Sequence, residues 1–93
     1  MLSVKHFVCC GMDVHKKFVV ATIAVTGYRG VTSYIKKRFA TFNSDLKALK
    51  KWLLSHNCTE VCMESTGKYW IPVFHVLEDS CHVVVANPKY VRA

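Results

Sequence analysis

Two acids stand out by type and by place: Asp13 in "CCGMDVHKKFVVATIAV" and Glu64 in "TEVCMESTGKYWIPVF". Each closes a mostly apolar run and precedes a short polar stretch. Such acids have an ordinary use: an Asp after a strand starts a turn, and a Glu steadies a helix N-terminus. They also have a chemical use. Two carboxylates held close repel each other unless a cation lies between them. Hard oxygen donors suit Mg2+ or Mn2+. Ions of that kind align an attacking water and a leaving oxygen around a phosphodiester. Turn acids are the commoner case, and spacing alone does not choose between the two.

The elements around the acids narrow the choice. Phe7 to Met12 reads as a strand, and its nearly continuous apolar character predicts burial on both faces. "DVHKK" reads as a polar turn, and Phe18 to Val25, rich in β-branched residues, as a second strand. "TGYRG" is a hairpin connection. Val31 to Phe39 alternates, with Thr32, Tyr34, Lys36 and Arg38 on one side, which fits a strand near the sheet edge with one wet face.

A helix follows in "FNSDLKALKKWLLSHN". Asn43 or Ser44 is expected to cap it, Leu46, Leu49 and Leu53 form its buried stripe, and Lys47, Lys50 and Lys51 form a solvated face. "TEVCME" is a short fourth strand. "STGKYWIPVFHVLED" begins a second helix, capped by Ser65 or Thr66 and with Pro72 in its first turn. "CHVVVANP" is a fifth strand, ended by Asn87-Pro88. The order β-β-β-α-β-α-β predicts an α/β fold. Three antiparallel strands lead into two right-handed crossovers, giving a mixed sheet with helices packed on its faces. In that topology the first and fourth strands are parallel neighbours, and Asp13 and Glu64 emerge at one sheet edge, where open α/β sheets hold their sites.

Length and composition bound the rest. Ninety-three residues, 52% of them hydrophobic, make one small domain with a real core. Thirteen Lys and Arg against six Asp and Glu leave a net charge of +7, which suits a polyanion such as nucleic acid. The five cysteines, at 9, 10, 58, 62 and 81, include no C-x-x-C pair. They read as buried free thiols in a reducing compartment. No run is long enough for a transmembrane helix and no leader is evident, so a cytoplasmic protein is expected.

"GMDVHKKFVVATI", "MESTGKYW" and "VVVANPKYVRA" together resemble the first domain of DEDD-type bacterial insertion-sequence transposases, the insertion sequence 110 family. The resemblance runs from Gly11 to Arg92. It implies a ribonuclease-H-like fold, similar to the Holliday-junction resolvase RuvC, and metal-dependent cleavage and transfer of DNA phosphodiesters in the full-length protein. Asp13 then corresponds to the first acid of the family's tetrad and Glu64 to the second. Both would be catalytic residues and ligands of Mg2+ or Mn2+. The family's other two aspartates lie just beyond the N-P-x-x-V-R segment, and a further domain carries a serine for strand exchange. On this reading residues 1–93 are an N-terminal piece of a longer transposase, inactive alone and weak in metal binding. The implied partners are DNA and a structured guide RNA encoded by the element.

Lys16, Lys17, Lys68 and Arg92 are placed to meet phosphates. Thr66, with Gly67, offers an N-terminal nest for an anion. A core of this kind is also expected to leave an apolar patch near the fifth strand and the second helix, and so to self-associate. Two rivals stay open. One is a basic nucleic-acid-binding or assembly module without chemistry. The other is a nucleotide-binding phosphotransferase of the actin-like and sugar-kinase class, whose first hairpin cradles phosphate with small residues. Here that turn is bulky and free of glycine.

Overall fold

Residues 7–27 and 29–86 are described by a computed structural model. The expectations for Asn87-Pro88 and Arg92 lie outside them. Five strands, β1 (Phe7–Val14), β2 (Phe18–Thr26), β3 (Thr32–Ala40), β4 (Glu60–Ser65) and β5 (His82–Ala86), form one sheet in the order β3-β2-β1-β4-β5. The hairpins make β1, β2 and β3 antiparallel, while β4 runs parallel to β1 and to β5. The element order and the β1–β4 adjacency are those expected from the sequence.

Two helices, α1 (Asn43–Ser55) and α2 (Trp70–Leu77), supply the crossovers. Leu46, Leu49 and Leu53 of α1 and Val73 and Leu77 of α2 are buried. They meet Cys10, Met12 and Val14 of β1, Val19, Ala21 and Ile23 of β2, and Val61 and Met63 of β4 in one core. These strand residues alternate, so they belong to a single face of the sheet. Both helices therefore pack on that face. This corrects two expectations: among the described residues the helices cover one face, not both, and β1 is buried on one face only. Gly11 and Asp13 of β1 are exposed between buried neighbours. The continuous apolar run misled because its outward positions, Phe7, Cys9 and Gly11, are apolar or small rather than polar.

Helix boundaries also differ from the expected ones. The N-cap of α1 is Phe42, in extended conformation and without a side-chain cap, so Asn43 and Ser44 lie inside the first turn. Asp45 there complements the helix dipole. The far end closes as a Schellman motif. The Cys58 N–H donates to the Leu53 carbonyl at 2.9 Å and the Asn57 N–H to that of Leu54 at 3.0 Å. Asn57 takes the left-handed conformation this requires, with φ at 56°. α2 starts only at Trp70, with Tyr69 as N-cap and no side-chain cap, so neither Ser65 nor Thr66 caps it. Pro72 is its third residue, where a missing N–H costs no helical bond.

Between the helices, Lys50 reaches Asp79 at 2.8 Å, pinning α1 to the turn before β5. It is thus half-buried and paired, whereas Lys47 and Lys51 are exposed as expected. No helix of the described residues is long and apolar enough to cross a membrane.

Candidate functional site on the open sheet face

The face opposite the helices carries the acids. Asp13 and Glu64 are direct register partners across the parallel β1–β4 pair. Paired residues on neighbouring strands share a face, with backbones about 4.8 Å apart. Both side chains are exposed. Neither makes a hydrogen bond or ion pair with any described residue. The ordinary roles would leave marks that are missing here. Asp13 does not lock a turn, because it lies within β1 and the turn is His15 to Lys17, closed by the His15 N–H on the Phe18 carbonyl at 2.9 Å. Glu64 does not serve a helix N-terminus, because α2 begins only at Trp70.

Asp13 and Glu64 line a shallow depression of about 380 Å³, together with Gly11, Met12, Val20, Thr22, Lys36, Cys62 and Ala86. Two adjacent carboxylates are a chemically suitable, partial donor set for a hard divalent cation. Among the described residues, no group of three or more His, Cys, Asp or Glu gathers to hold a metal.

The other expected site residues fall around this place. Lys16 and Lys17 are exposed in the turn after β1, and Thr66 and Lys68 are exposed just after β4. Since β1 and β4 are parallel, all four sit at the same sheet end as the acids. The nest expected at Thr66 and Gly67 is corrected: Gly67 is left-handed at φ 75°, but these residues precede the helix by a full turn and are not its N-terminus.

Sequence reasoning missed Lys36, Thr22 and Gly11 as members of the depression. The alternation in β3 puts Lys36 on the wet face with Tyr34. The absent signal is the hairpin register, which aligns Lys36 with Thr22 and Thr22 with Gly11. The cysteines divide likewise. Cys10, Cys58 and Cys81 are buried, but Cys62 is exposed on the open face, against the expectation of burial. Its strand alternates, and Cys62 lies on Glu64's side of it. A hydrogen bond with Cys58, reinforced by burial, pushes the Cys10 thiol far up, and burial raises that of Cys81.

A mixed five-stranded sheet with two acids paired at the ends of parallel central strands defines an α/β protein with a strand-end acidic site. Comparison with known proteins adds the family. The family model for DEDD transposases of insertion sequence 110, described as a transposase, matches residues 10–93. The chain belongs to this family of transposases. No curated protein matches it.

Among solved structures, it is similar to the Aquifex aeolicus member of the Ppx/GppA protein family, with 16% identity and a TM-score of 0.62 over 92% of this chain and 37% of that one. A second structure of the Aquifex aeolicus PPX-GPPA enzyme matches at 18% identity and a TM-score of 0.57, over 92% of this chain and 38% of that one. The type II variant of the Aquifex aeolicus Ppx/GppA phosphatase matches at 16% identity and a TM-score of 0.57, over 88% of this chain and 36% of that one. The chain spans less than two fifths of these structures, and the likeness is one of fold alone.

Proposed function

We propose that this chain is the ribonuclease-H-like part of a transposase catalytic domain that cleaves and transfers DNA phosphodiesters with Mg2+ or Mn2+. The register pairing of Asp13 with Glu64, on the sheet face that no described helix covers, supports this reading. Among the described residues neither carboxylate has another partner, and both rise from strands held by hydrogen bonds on either side. They bind and orient, since the sheet holds their backbones fixed while their oxygens face solvent. A bound divalent ion would supply Lewis-acid polarisation of the phosphodiester and a more acidic water. Lys16, Lys17 and Lys68, at the same sheet end, hold flanking phosphates, and Thr66 and Arg92 are further contacts of this kind. The partners in this reading are DNA and an element-encoded structured RNA, and the full-length protein works as a homo-oligomer.

The test is Mn2+ line broadening in the amide spectrum of the 93-residue chain, beside the Asp13→Asn, Glu64→Gln double variant. Broadening centred on residues 13 and 64, absent from the double variant, is the expected result. Equal and diffuse broadening in both would sink the metal reading and leave a basic binding module.

The likeness to Ppx/GppA structures favours a second reading, a nucleotide-binding phosphotransferase. Against it, the β1–β2 turn is His15-Lys16-Lys17, where a phosphate cradle needs small residues that expose backbone N–H groups. A thermal shift with ATP and Mg2+ separates the two, and a clear stabilisation would favour the phosphotransferase.

A further inference from the structure

The two hairpin turns of the sheet are built differently. The β2–β3 turn closes on its own backbone. Gly30 is left-handed there at φ 78°, the Gly30 N–H donates to the Gly27 carbonyl at 2.9 Å, and the Gly27 N–H to that of Val31 at 3.0 Å. The β1–β2 turn, His15-Lys16-Lys17, has no glycine and no residue with positive φ. Its two adjacent lysines repel each other, so their charges do not stabilise it. It closes with the His15 N–H on the Phe18 carbonyl at 2.9 Å.

Further support for this turn comes from β3, a strand that the β1–β2 hairpin does not itself require. Phe18 pairs with Ala40 across β2 and β3, which brings the next residue, Thr41, alongside the turn. The Thr41 hydroxyl donates to the Lys16 carbonyl at 3.1 Å, across 25 residues of sequence. Earlier on β3, the Arg38 guanidinium lies 3.9 Å from the centre of the Phe18 ring. His15 stacks on that same ring, with centroids 4.4 Å apart and planes 23° apart. Phe18 is therefore a plate shared by a cation of β3 and the first residue of the turn. The turn is gripped at the His15 ring and at the Lys16 backbone. A turn that only reverses the chain needs no such grip. This one directly follows β1 at the end that carries Asp13, and it presents two exposed lysines there.

We propose that Thr41 and Arg38 are positioning residues: acting through the Lys16 carbonyl and the Phe18 ring, they fix the β1–β2 turn so that Lys16 and Lys17 keep one place relative to Asp13. The proposal rests on the reading of those lysines as phosphate contacts and deepens it by naming what aims them. The brace itself needs no ligand, so the two are tested apart.

Native-state amide exchange of the 93-residue chain, with no metal or anion added, reads the brace at the His15 N–H. Thr41→Ala removes the hydroxyl and is expected to speed that exchange about fivefold, the equivalent of one ordinary hydrogen bond. Thr41→Ser keeps the hydroxyl and is expected to stay within about twofold of wild type. Arg38→Lys keeps the charge but not the planar guanidinium, and is expected to speed exchange about twofold or more. The Cys58 N–H, bonded to the Leu53 carbonyl at the other end of the sheet, is the distant control and is expected to be unchanged in every variant. Pyrophosphate in metal-free buffer is the probe of purpose. The shifts it causes at the Lys16 and Lys17 amides are expected to need about threefold more probe in Thr41→Ala, and wild-type amounts in Thr41→Ser.

The proposal is overturned if His15 exchanges in Thr41→Ala or Arg38→Lys as it does in wild type, or if Thr41→Ser fails to restore protection. It is equally overturned if Thr41→Ala takes up pyrophosphate as well as wild type does. No pyrophosphate shift at the turn of the wild-type chain would count against the phosphate reading alone, since the exchange rates decide the brace by themselves.

Discussion

Asp13 and Glu64 face each other as register partners on parallel strands, with no cation or hydrogen-bond donor among the described residues to separate them. Like charges directly opposed on a sheet are destabilising. Either Asp13→Asn or Glu64→Gln should therefore raise stability at low salt, by about 0.2–1 kcal/mol. The double variant should add little to either single one, because the first change already removes the repulsion. Urea melts of the four proteins at low and high salt test this. Fully additive effects would mean that the two carboxylates do not sense each other.

The core rests on few large side chains. Leu49 of α1 is fully buried against the sheet. Leu49→Ala is expected to cost about 2–5 kcal/mol, a large part of the stability of so small a domain. Leu54→Ala, five residues on and 39% exposed, should cost less. Similar denaturation midpoints for the two would contradict the assignment of the inner face of α1.

Thiol chemistry reads the same division of faces. With a thiol-specific reagent at mildly alkaline pH, Cys62 should react fast and Cys9 more slowly, while Cys10, Cys58 and Cys81 wait for unfolding. Burial raises the folded-state value of Cys81, so the folded chain keeps its proton where the unfolded chain has lost it. Its contribution to stability is thus full below the ordinary thiol value and declines as pH rises above it. Cys81→Ala should flatten that alkaline decline. An unchanged slope would mean that Cys81 is not shielded.

Lys50 holds the Asp79 carboxyl below its ordinary range through their hydrogen bond. A depressed carboxylate stabilises the fold above its unfolded value, and the effect is lost as pH falls through the folded one. Asp79→Asn should slightly lower the melting temperature at neutral pH, with the gap closing in acid and in high salt. A gap that persists in acid would point to packing rather than charge.

Much of this protein is legible in its sequence. The β-branched run of β2, the leucine spacing of α1 and the hairpin glycines announce their own elements, because local periodicity reflects which side is buried. The β-β-β-α-β-α-β order then leaves few topologies, and parallel crossovers set Asp13 and Glu64 at one sheet end.

Three matters are decided only by the tertiary structure. Which face the helices cover depends on where each crossover lands, and both land on the side of Met12 and Met63. Helix starts depend on chain direction after the strand, so the turn from Thr66 to Tyr69 delays α2 past the residues that look like caps. Register brings Lys36, Thr22 and Gly11 into one row, and these residues are far apart in sequence. A sequence determines each strand's alternation; pairing alone decides which alternating residues become neighbours.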